Sequence, residues 1–276
     1  MPCHRWVFSP LGVKADRMGD FATMLWVTAA AGAATGLGAL PVLWRSSFSH
    51  RTYDTALGLA SGIMIGASVF GLILPGMEEG TLTAVMVGVL VGGIVLLVAN
   101  RLLPHVHAVY LGWRGHGEDA PTLDEASPWR RAILVGGAIT LHNAPEGLAM
   151  GVAFASGLEE VAFVLAVIIA MQNVPDGFAF AVPLGVTPTG RLTILVLTTL
   201  SGLVPQVAAA VFGFAVVALA TGIFPVAAGF AAGAMIAVVF RELVPMSHGH
   251  GYADAATAAF LVGFSLIVVV DTVLAV

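Results

Sequence analysis

The residues of this chain that could do chemistry are concentrated in two short stretches that share one pattern. The first runs from His142 to Gly147 (His-Asn-Ala-Pro-Glu-Gly) and the second from Gln172 to Gly177 (Gln-Asn-Val-Pro-Asp-Gly). Both are flanked by strongly apolar sequence. Polar and ionisable groups at membrane depth are costly, on the order of 2.5–3.5 kcal/mol per charge. Two matched clusters therefore predict one site that is formed between the two stretches.

The spacing within each stretch predicts that its polar groups share one side of a helix. Residues four apart lie on the same face. The histidine or glutamine that opens each motif therefore points the same way as the carboxylate four residues later, with an asparagine one position round. The six candidate ligands are His142, Asn143, Glu146, Gln172, Asn173 and Asp176.

This set of side chains is suited to a divalent metal. If the two helices face each other, one imidazole, two carboxylates and three amide oxygens converge. Such ligands suit Zn²⁺, Fe²⁺, Mn²⁺ or Co²⁺ and suit Cu⁺ poorly, because Cu⁺ prefers thiolate or thioether ligands. The single cysteine, Cys3, excludes a disulfide framework and a cysteine-based metal site. Without a thiolate ligand, the site is expected to bind its metal with moderate affinity. A conduit requires this, because it must release what it binds.

The elements that position the motifs are predicted to be transmembrane helices. The 276 residues are 58% hydrophobic and 10% charged, with a mean hydropathy of +0.97, whereas soluble domains carry roughly 25% charged residues. A water-soluble fold is therefore excluded, and nucleic-acid binding is excluded because basic residues do not cluster. A hydrocarbon core about 30 Å thick needs about 20 apolar residues per helix. On this measure we expect eight spans near 22–44, 55–77, 82–102, 132–156, 160–184, 192–220, 225–246 and 253–275.

The distribution of basic residues predicts the orientation. With eight spans, both termini lie on the same side of the membrane. If that side is extracytoplasmic, eight of the 11 basic residues fall at inner loops and helix ends, as the positive-inside rule favours. We therefore expect a multi-pass protein of the cell (inner) membrane with a short extracytoplasmic segment at 1–21. An eight-helix transmembrane domain follows at 22–276, and its cytoplasmic loop at 103–130 carries histidines and acids.

The motifs and the glycine-rich spans together resemble the ZIP (Zrt/Irt-like) family of divalent-metal transporters. The fourth-helix pattern His-Asn-x-Pro-Glu-Gly is matched letter for letter from His142 to Gly147. The fifth-helix pattern Gln-(Asn/Asp)-x-Pro-Glu-Gly is matched from Gln172 to Gly177, except at Asp176. Similar glycine-rich stretches lie in spans one, two and seven, so the resemblance covers essentially the whole chain. It is closest to the bacterial GufA-like branch.

The resemblance implies a function and a first metal position. It implies transport of divalent cations into the cytoplasm, with zinc as the first candidate and iron, manganese and cadmium as others, and no enzyme activity. It also implies an all-α, ZIP-like bundle of eight transmembrane helices with the site between helices 2, 4 and 5. The first metal position would be formed by His142, Glu146, Gln172, Asp176 and, from the second span, Met64.

A second metal position is implied beside Asn143 and Asn173, with the two carboxylates bridging, but this chain departs from the pattern there. The GufA-like branch usually offers a glutamate in the sixth span, where this chain has Gln206. Asp176 is also shorter than glutamate by one methylene, which shortens its reach by roughly a bond length. We therefore expect one good site with a vestigial neighbour.

Other polar residues are expected near the path to the cytoplasm or its inner mouth. For the loop histidines, a solvated loop is the simple alternative. An acid inside the last span favours a function or a polar partner, because charge at that depth is costly. The candidate exit residues are Glu242, Asp271, His248, His250, His105 and His107.

Other classes of protein provide alternatives. An intramembrane metal-dependent hydrolase would hold zinc with histidines and carboxylates, but it would want His-Glu-x-x-His or three ligands with a separate base, and His142 is the one histidine well inside a span. A rhomboid-like serine protease would need a pair such as Ser68 and His142. A metal sensor or a structural membrane protein would differ only in lacking flux. Besides the lipid bilayer and the metal, the long glycine-rich faces would accommodate a homodimer.

Overall fold

Helices make up almost all of the chain that the structure describes. The computed structural model describes residues 17–102, 128–220 and 222–274. Within these ranges the chain forms eight helices, some of which include a short 3₁₀ or π segment. They are α1 (17–44), α2 (His50–Glu78), α3 (Leu82–Leu102), α4 (Pro128–Ala155), α5 (Glu159–Gly185), α6 (Arg191–Leu219), α7 (Phe224–Ser247) and α8 (Ala253–Leu274).

The lengths and composition of these helices confirm the predicted polytopic membrane fold. Seven of the helices in the described ranges are long and apolar enough to cross a membrane. The remaining helix, α4, has 28 residues, more than the about 20 that a span needs. Each predicted span falls on one helix. The predicted N-terminal segment 1–21 and loop 103–130 lie almost entirely outside the described residues.

Two helices widen directly before a proline. In α2 the π-helical segment Val69–Ile73 precedes Pro75, and in α7 the π-helical segment Val239–Leu243 precedes Pro245. Within an α-helix, a proline ring clashes with the carbonyl four residues earlier, and the wider π turn increases the distance between the two groups. Such turns are often found at functional sites. In α7 the π turn contains Glu242, so it helps to set the position of that carboxylate.

Glycines bring several helices into direct backbone contact. Gly88 and Gly92 of α3 approach α7 closely, because a Cβ atom at either position would collide with the backbone carbonyl of Val226 or Phe230. Gly62 of α2 lies in the same way against the backbone of α8. Small residues at such contacts are typical of membrane helices, which associate through close packing.

The glycines that end the two polar motifs fix α4 and α5 in the bundle. A Cβ atom at Gly147 of α4 would collide with the carbonyl of Gln206 in α6, and one at Gly177 of α5 would collide with the carbonyl of Thr35 in α1. At these glycines α4 is thus in direct contact with α6, and α5 with α1. The polar side chains that precede each glycine are buried inside the bundle.

Candidate metal centre

The polar residues of both motifs lie in the interior of the helix bundle. Each of the six side chains is 1% exposed or less. Buried polar groups are normally hydrogen-bonded, and leaving one without a partner costs about 1–3 kcal/mol. The partners of these side chains therefore show what the centre is built to do. The six are His142, Asn143, Glu146, Gln172, Asn173 and Asp176.

A hydrogen bond between the motifs joins α4 to α5. Nε2 of Gln172 donates to Oε1 of Glu146 at 2.5 Å. The carboxylate of Asp176 is close enough to interact electrostatically with both Glu146 and His142. The structure thus brings four of the residues expected at the first metal position together across one helix interface.

Several polar atoms of this interface have no hydrogen-bond partner among the described residues. They are Oε2 of Glu146, Oε1 of Gln172, both carboxylate oxygens of Asp176 and Nδ1 of His142. Four oxygens and one imidazole nitrogen form the donor set that Zn²⁺ and similar divalent ions bind. A divalent cation therefore fits the atoms of this centre that have no hydrogen-bond partner.

His142 is also bonded to a carboxylate from a different helix. Its Nε2 lies 2.7 Å from Oε2 of Glu242 in α7. Asn100, near the end of α3, donates from Nδ2 to the other oxygen of that carboxylate at 2.8 Å. Glu242, expected from the sequence on the exit path, thus contacts the central histidine directly. The sequence did not identify Asn100 as part of the centre. Its one signal there is that an amide ends the apolar run Val-Leu-Leu-Val-Ala.

The methionine expected from the second span is fully buried. Met64 lies in α2, and α2 packs against α5, which carries Gln172 and Asp176. Its carbonyl accepts a hydrogen bond from Oγ of Ser68 at 2.8 Å. Buried methionine is also an ordinary core residue, so burial alone assigns it no role as a ligand.

A network of neutral amides occupies the side of the centre where a second metal was considered. Nδ2 of Asn173 donates to the carbonyl of Ala31 at 2.7 Å and to Oε1 of Gln206 at 2.9 Å. Nε2 of Gln206 in turn lies 3.4 Å from the sulfur of Met150. Gln206 thus connects α5, α6 and α4 through hydrogen bonds and adds no carboxylate. Asn143 is buried on the same helix as Met150.

The remaining candidate exit residues do not lie together. His248 and His250 follow the end of α7. Asp271 lies about 27 Å from the start of α8, at 1.5 Å per residue, and therefore near the opposite membrane face. One inner mouth cannot contain both groups. His105 and His107 lie outside the described residues.

The centre is paired internally rather than open. In the described ranges, no three or more His, Cys, Asp or Glu side chains are already gathered around one point as a metal cluster. Instead, Glu146 is engaged by Gln172, and His142 by Glu242. A metal that binds both oxygens of Glu146 must therefore displace the first of these bonds.

A bundle of membrane-crossing helices around a buried imidazole, carboxylate and amide centre defines a multi-pass membrane protein with a candidate metal centre. Residues 114–271 match the family model described as ZIP zinc transporter. The chain is 38% identical to the zinc transporter GufA of Myxococcus xanthus over 250 residues, which cover 87% of this chain and 94% of GufA. The chain belongs to the ZIP zinc transporter family.

Two further relatives agree with this assignment. The zinc transporter ZIPB of Bordetella bronchiseptica is 37% identical over 267 residues, which cover 89% of this chain and 79% of ZIPB. The human zinc transporter ZIP11 is 30% identical over 318 aligned positions, which cover 86% of this chain and 93% of ZIP11. The similarity to each therefore extends over most of both proteins.

Proposed function

We propose that this chain carries divalent metal cations, zinc first, across the inner membrane into the cytoplasm. The centre of His142, Glu146, Gln172 and Asp176 would bind the ion in transit, with Met64 as a further ligand. The observation that supports this proposal is the set of four oxygens and one imidazole nitrogen that are buried without partners at the α4–α5 interface. The named relatives are zinc transporters, and iron, manganese and cadmium suit the same ligands.

The bond between His142 and Glu242 would prepare the histidine for metal binding. If Nε2 carries the ring proton and donates to Glu242, Nδ1 keeps its lone pair for the metal. Histidines that bind metals usually donate their other ring N–H to a carboxylate or carbonyl in this way, which fixes the tautomer and orients the ring. Glu242 then acts as a positioning residue for His142, and Asn100 positions Glu242.

Replacement of Asn100 by alanine is expected to weaken Zn²⁺ binding about tenfold, the lower part of the range for outer partners of metal ligands. The change leaves one oxygen of Glu242 without its donor, so the carboxylate that orients the ring of His142 is held less firmly. Isothermal titration of the purified chain measures the dissociation constant. Val98→Ala, at an exposed position of the same helix, is the control. An unchanged dissociation constant in Asn100→Ala would contradict the positioning role.

The internal pairing of the centre is consistent with a site that must also release its ion. Without metal, the amide of Gln172 satisfies one oxygen of Glu146, which reduces the cost of burying that carboxyl group. A metal that takes both oxygens of Glu146 would replace this bond with metal–oxygen bonds, and its departure would restore it. The competition lowers the net binding energy, as transport requires. Movement of one helix group against another would then expose the site to each side in turn.

We also propose that the centre holds one metal ion and not two. Gln206 stands where the GufA-like pattern has a glutamate, and it is already engaged by Asn173. A neutral amide brings no charge to offset a second cation, and a second ion would add its repulsion to the first. The shorter Asp176 further reduces the chance of a bridging carboxylate.

For orientation, we propose that both termini are extracytoplasmic. The argument is the excess of basic residues at the ends of the helices that would face the cytoplasm. The end of the bundle that holds the start of α2, the end of α7 and the start of α8 would then be cytoplasmic. The segment 1–21 would be outside, and the loop 103–130 inside, within the single transmembrane domain 22–276.

Zinc flux in proteoliposomes tests the proposed function. Vesicles that contain the purified chain and a trapped zinc-sensitive dye are expected to take up Zn²⁺ faster than protein-free vesicles, with inhibition by Fe²⁺, Mn²⁺ or Cd²⁺ that share the site. Tight Zn²⁺ binding without flux would instead favour a metal sensor. No residue arrangement in the described chain favours a hydrolase over transport, because the carboxyl groups near His142 are proposed ligands or its positioning partner.

A further inference from the structure

A further buried carboxylate, apart from those of the centre, lies at the end of the bundle where α2 begins. Asp54, in the second turn of α2, is 0% exposed, whereas Arg51 and Thr52 beside it are exposed. Its Oδ1 lies 2.8 Å from Nδ1 of His250, which follows α7. Its Oδ2 has no hydrogen-bond partner among the described residues. A buried carboxylate oxygen in this state carries a desolvation cost, and a ligand would offset it.

Two imidazoles accompany this carboxylate. The ring of His50 is stacked on the ring of His250, with centroids 4.4 Å apart and an angle of 27° between the planes. The side chain of His250 is 23% exposed, and His50 is exposed at the first position of α2. The buried oxygen of Asp54 is therefore adjacent to imidazoles that water and ions can reach.

The distance between the two bonded groups is close to that of two ligands on one metal. Zinc binds imidazole nitrogen at about 2.0–2.1 Å and carboxylate oxygen at about 2.0–2.2 Å, so at a tetrahedral angle the two atoms lie roughly 3.3 Å apart. The present separation of 2.8 Å between Asp54 and His250 needs only a small opening. A divalent cation would take the place of the proton between them, and the ring would then carry its one proton on Nε2, so that it stays a neutral imidazole ligand.

A polar stripe on α2 connects this carboxylate with the level of the central site. Asp54, Ser61 and Ser68 recur every seven residues, which keeps them on one helix face with a drift of about 20° per interval. All three are buried, and the two hydroxyls bond back to the carbonyls of Leu57 and Met64. Asp54 lies about 15 Å along the helix from Met64, at 1.5 Å per residue. The stripe thus runs along α2 from Asp54 at the end of the bundle past the level of Met64.

We propose that Asp54 and His250, joined by His50, form a second and weaker divalent-cation site that receives the metal as it leaves the centre. The assignment to an exit rests on the proposed function and its orientation. The site is not preassembled, because in the described ranges no three such side chains converge and His50 is stacked rather than turned inward. Two ligands in place and a third that must swing in give low affinity, as a release site needs.

Cobalt binding to the full-length chain with a disabled centre tests the site. In a Glu146→Gln, Asp176→Asn background, Co²⁺ is expected to bind weakly and to give a visible absorption band. Adding Asp54→Asn or His250→Gln is expected to weaken this binding about tenfold or more. Asparagine can still accept the hydrogen bond from His250, so a purely structural role of Asp54 predicts no change. Asp254→Asn, which removes an exposed carboxylate in the first turn of α8, is the control.

The outcomes separate this proposal from the proposed function. Co²⁺ binding that is identical in the background, Asp54→Asn and His250→Gln proteins overturns the site, even if the wild-type chain transports zinc. If the wild-type chain shows no flux but both substitutions weaken Co²⁺ binding, the cation site stands and transport fails. In a transporting chain, Asp54→Asn alone is expected to slow Zn²⁺ uptake about tenfold while the centre still binds Zn²⁺ as in the wild type.

Discussion

Glu146→Gln is expected to reduce Zn²⁺ uptake into proteoliposomes at least about a hundredfold, because it removes a carboxylate ligand from the proposed centre and such a loss exceeds the 10–100-fold cost of losing an outer partner. Glutamine has nearly the same size and shape as glutamate. Its Oε1 can still accept the hydrogen bond from Gln172, so the α4–α5 contact is retained. The loss of uptake would therefore report the loss of metal–carboxylate bonding.

Thermal unfolding distinguishes this loss of function from misfolding. Without metal, the Glu146→Gln chain is expected to unfold at the same or a higher temperature, since the new amide can donate to the nearby carboxylate of Asp176. With Zn²⁺ at 100 times its dissociation constant, the wild type gains about 2.7 kcal/mol of stability, and the variant does not. Glu160→Gln, at an exposed position in the first turn of α5, is the control. Zn²⁺ uptake by Glu146→Gln within a few-fold of the wild-type rate would contradict the role of Glu146 as a metal ligand.

The fold follows from features that are local in the sequence. Apolar runs of about 20 residues predict spans because the bilayer has a fixed thickness, and every predicted span falls on one observed helix. The facing of the two motifs was predictable from the i and i+4 spacing of His142, Glu146, Gln172 and Asp176, given that the polar faces of both helices must avoid lipid.

The partners that complete the centre were not predictable, because they depend on the tertiary arrangement. Glu242 is 100 residues from His142, and neither local spacing nor hydropathy indicates that the two side chains meet. The π turn that contains Glu242 depends on how Pro245 is accommodated, whereas Pro145 and Pro175 lie within continuous α-helix. A proline in a span therefore does not by itself predict a π turn.

Polar residues at the edges of spans give a weak signal in the sequence. Asn100 and Asp54 each lie within a few residues of a helix end, where a polar side chain is usually solvated and needs no partner. In the structure both are buried and bonded to residues more than 100 positions away. Gln206 shows the converse: the sequence indicated a missing carboxylate, and the structure adds that the amide is engaged in a network with Asn173.

Gln206→Glu is expected to convert the centre from one bound metal ion per chain to two. The new carboxylate would lie where the amide of Gln206 now accepts from Asn173, and one of its oxygens can keep that bond. The other oxygen loses only a weak contact with the sulfur of Met150 and becomes available as a ligand. Equilibrium dialysis with elemental analysis of the purified protein measures the metal-to-protein ratio.

The stability of the metal-free protein provides a second readout for Gln206→Glu. A further buried carboxylate near Glu146 and Asp176 adds repulsion and desolvation cost, so the variant is expected to be less stable than wild type without metal and to recover with Zn²⁺. Gln206→Leu, which removes the amide without adding a carboxylate, is the control and should still bind one ion. A ratio of two in the wild type would contradict the one-metal proposal. If Gln206→Glu still binds one ion, the double variant Gln206→Glu, Asp176→Glu is the next test. Two ions in the double variant would show that the short side chain of Asp176, as well as the missing carboxylate at position 206, prevents a second ion from binding.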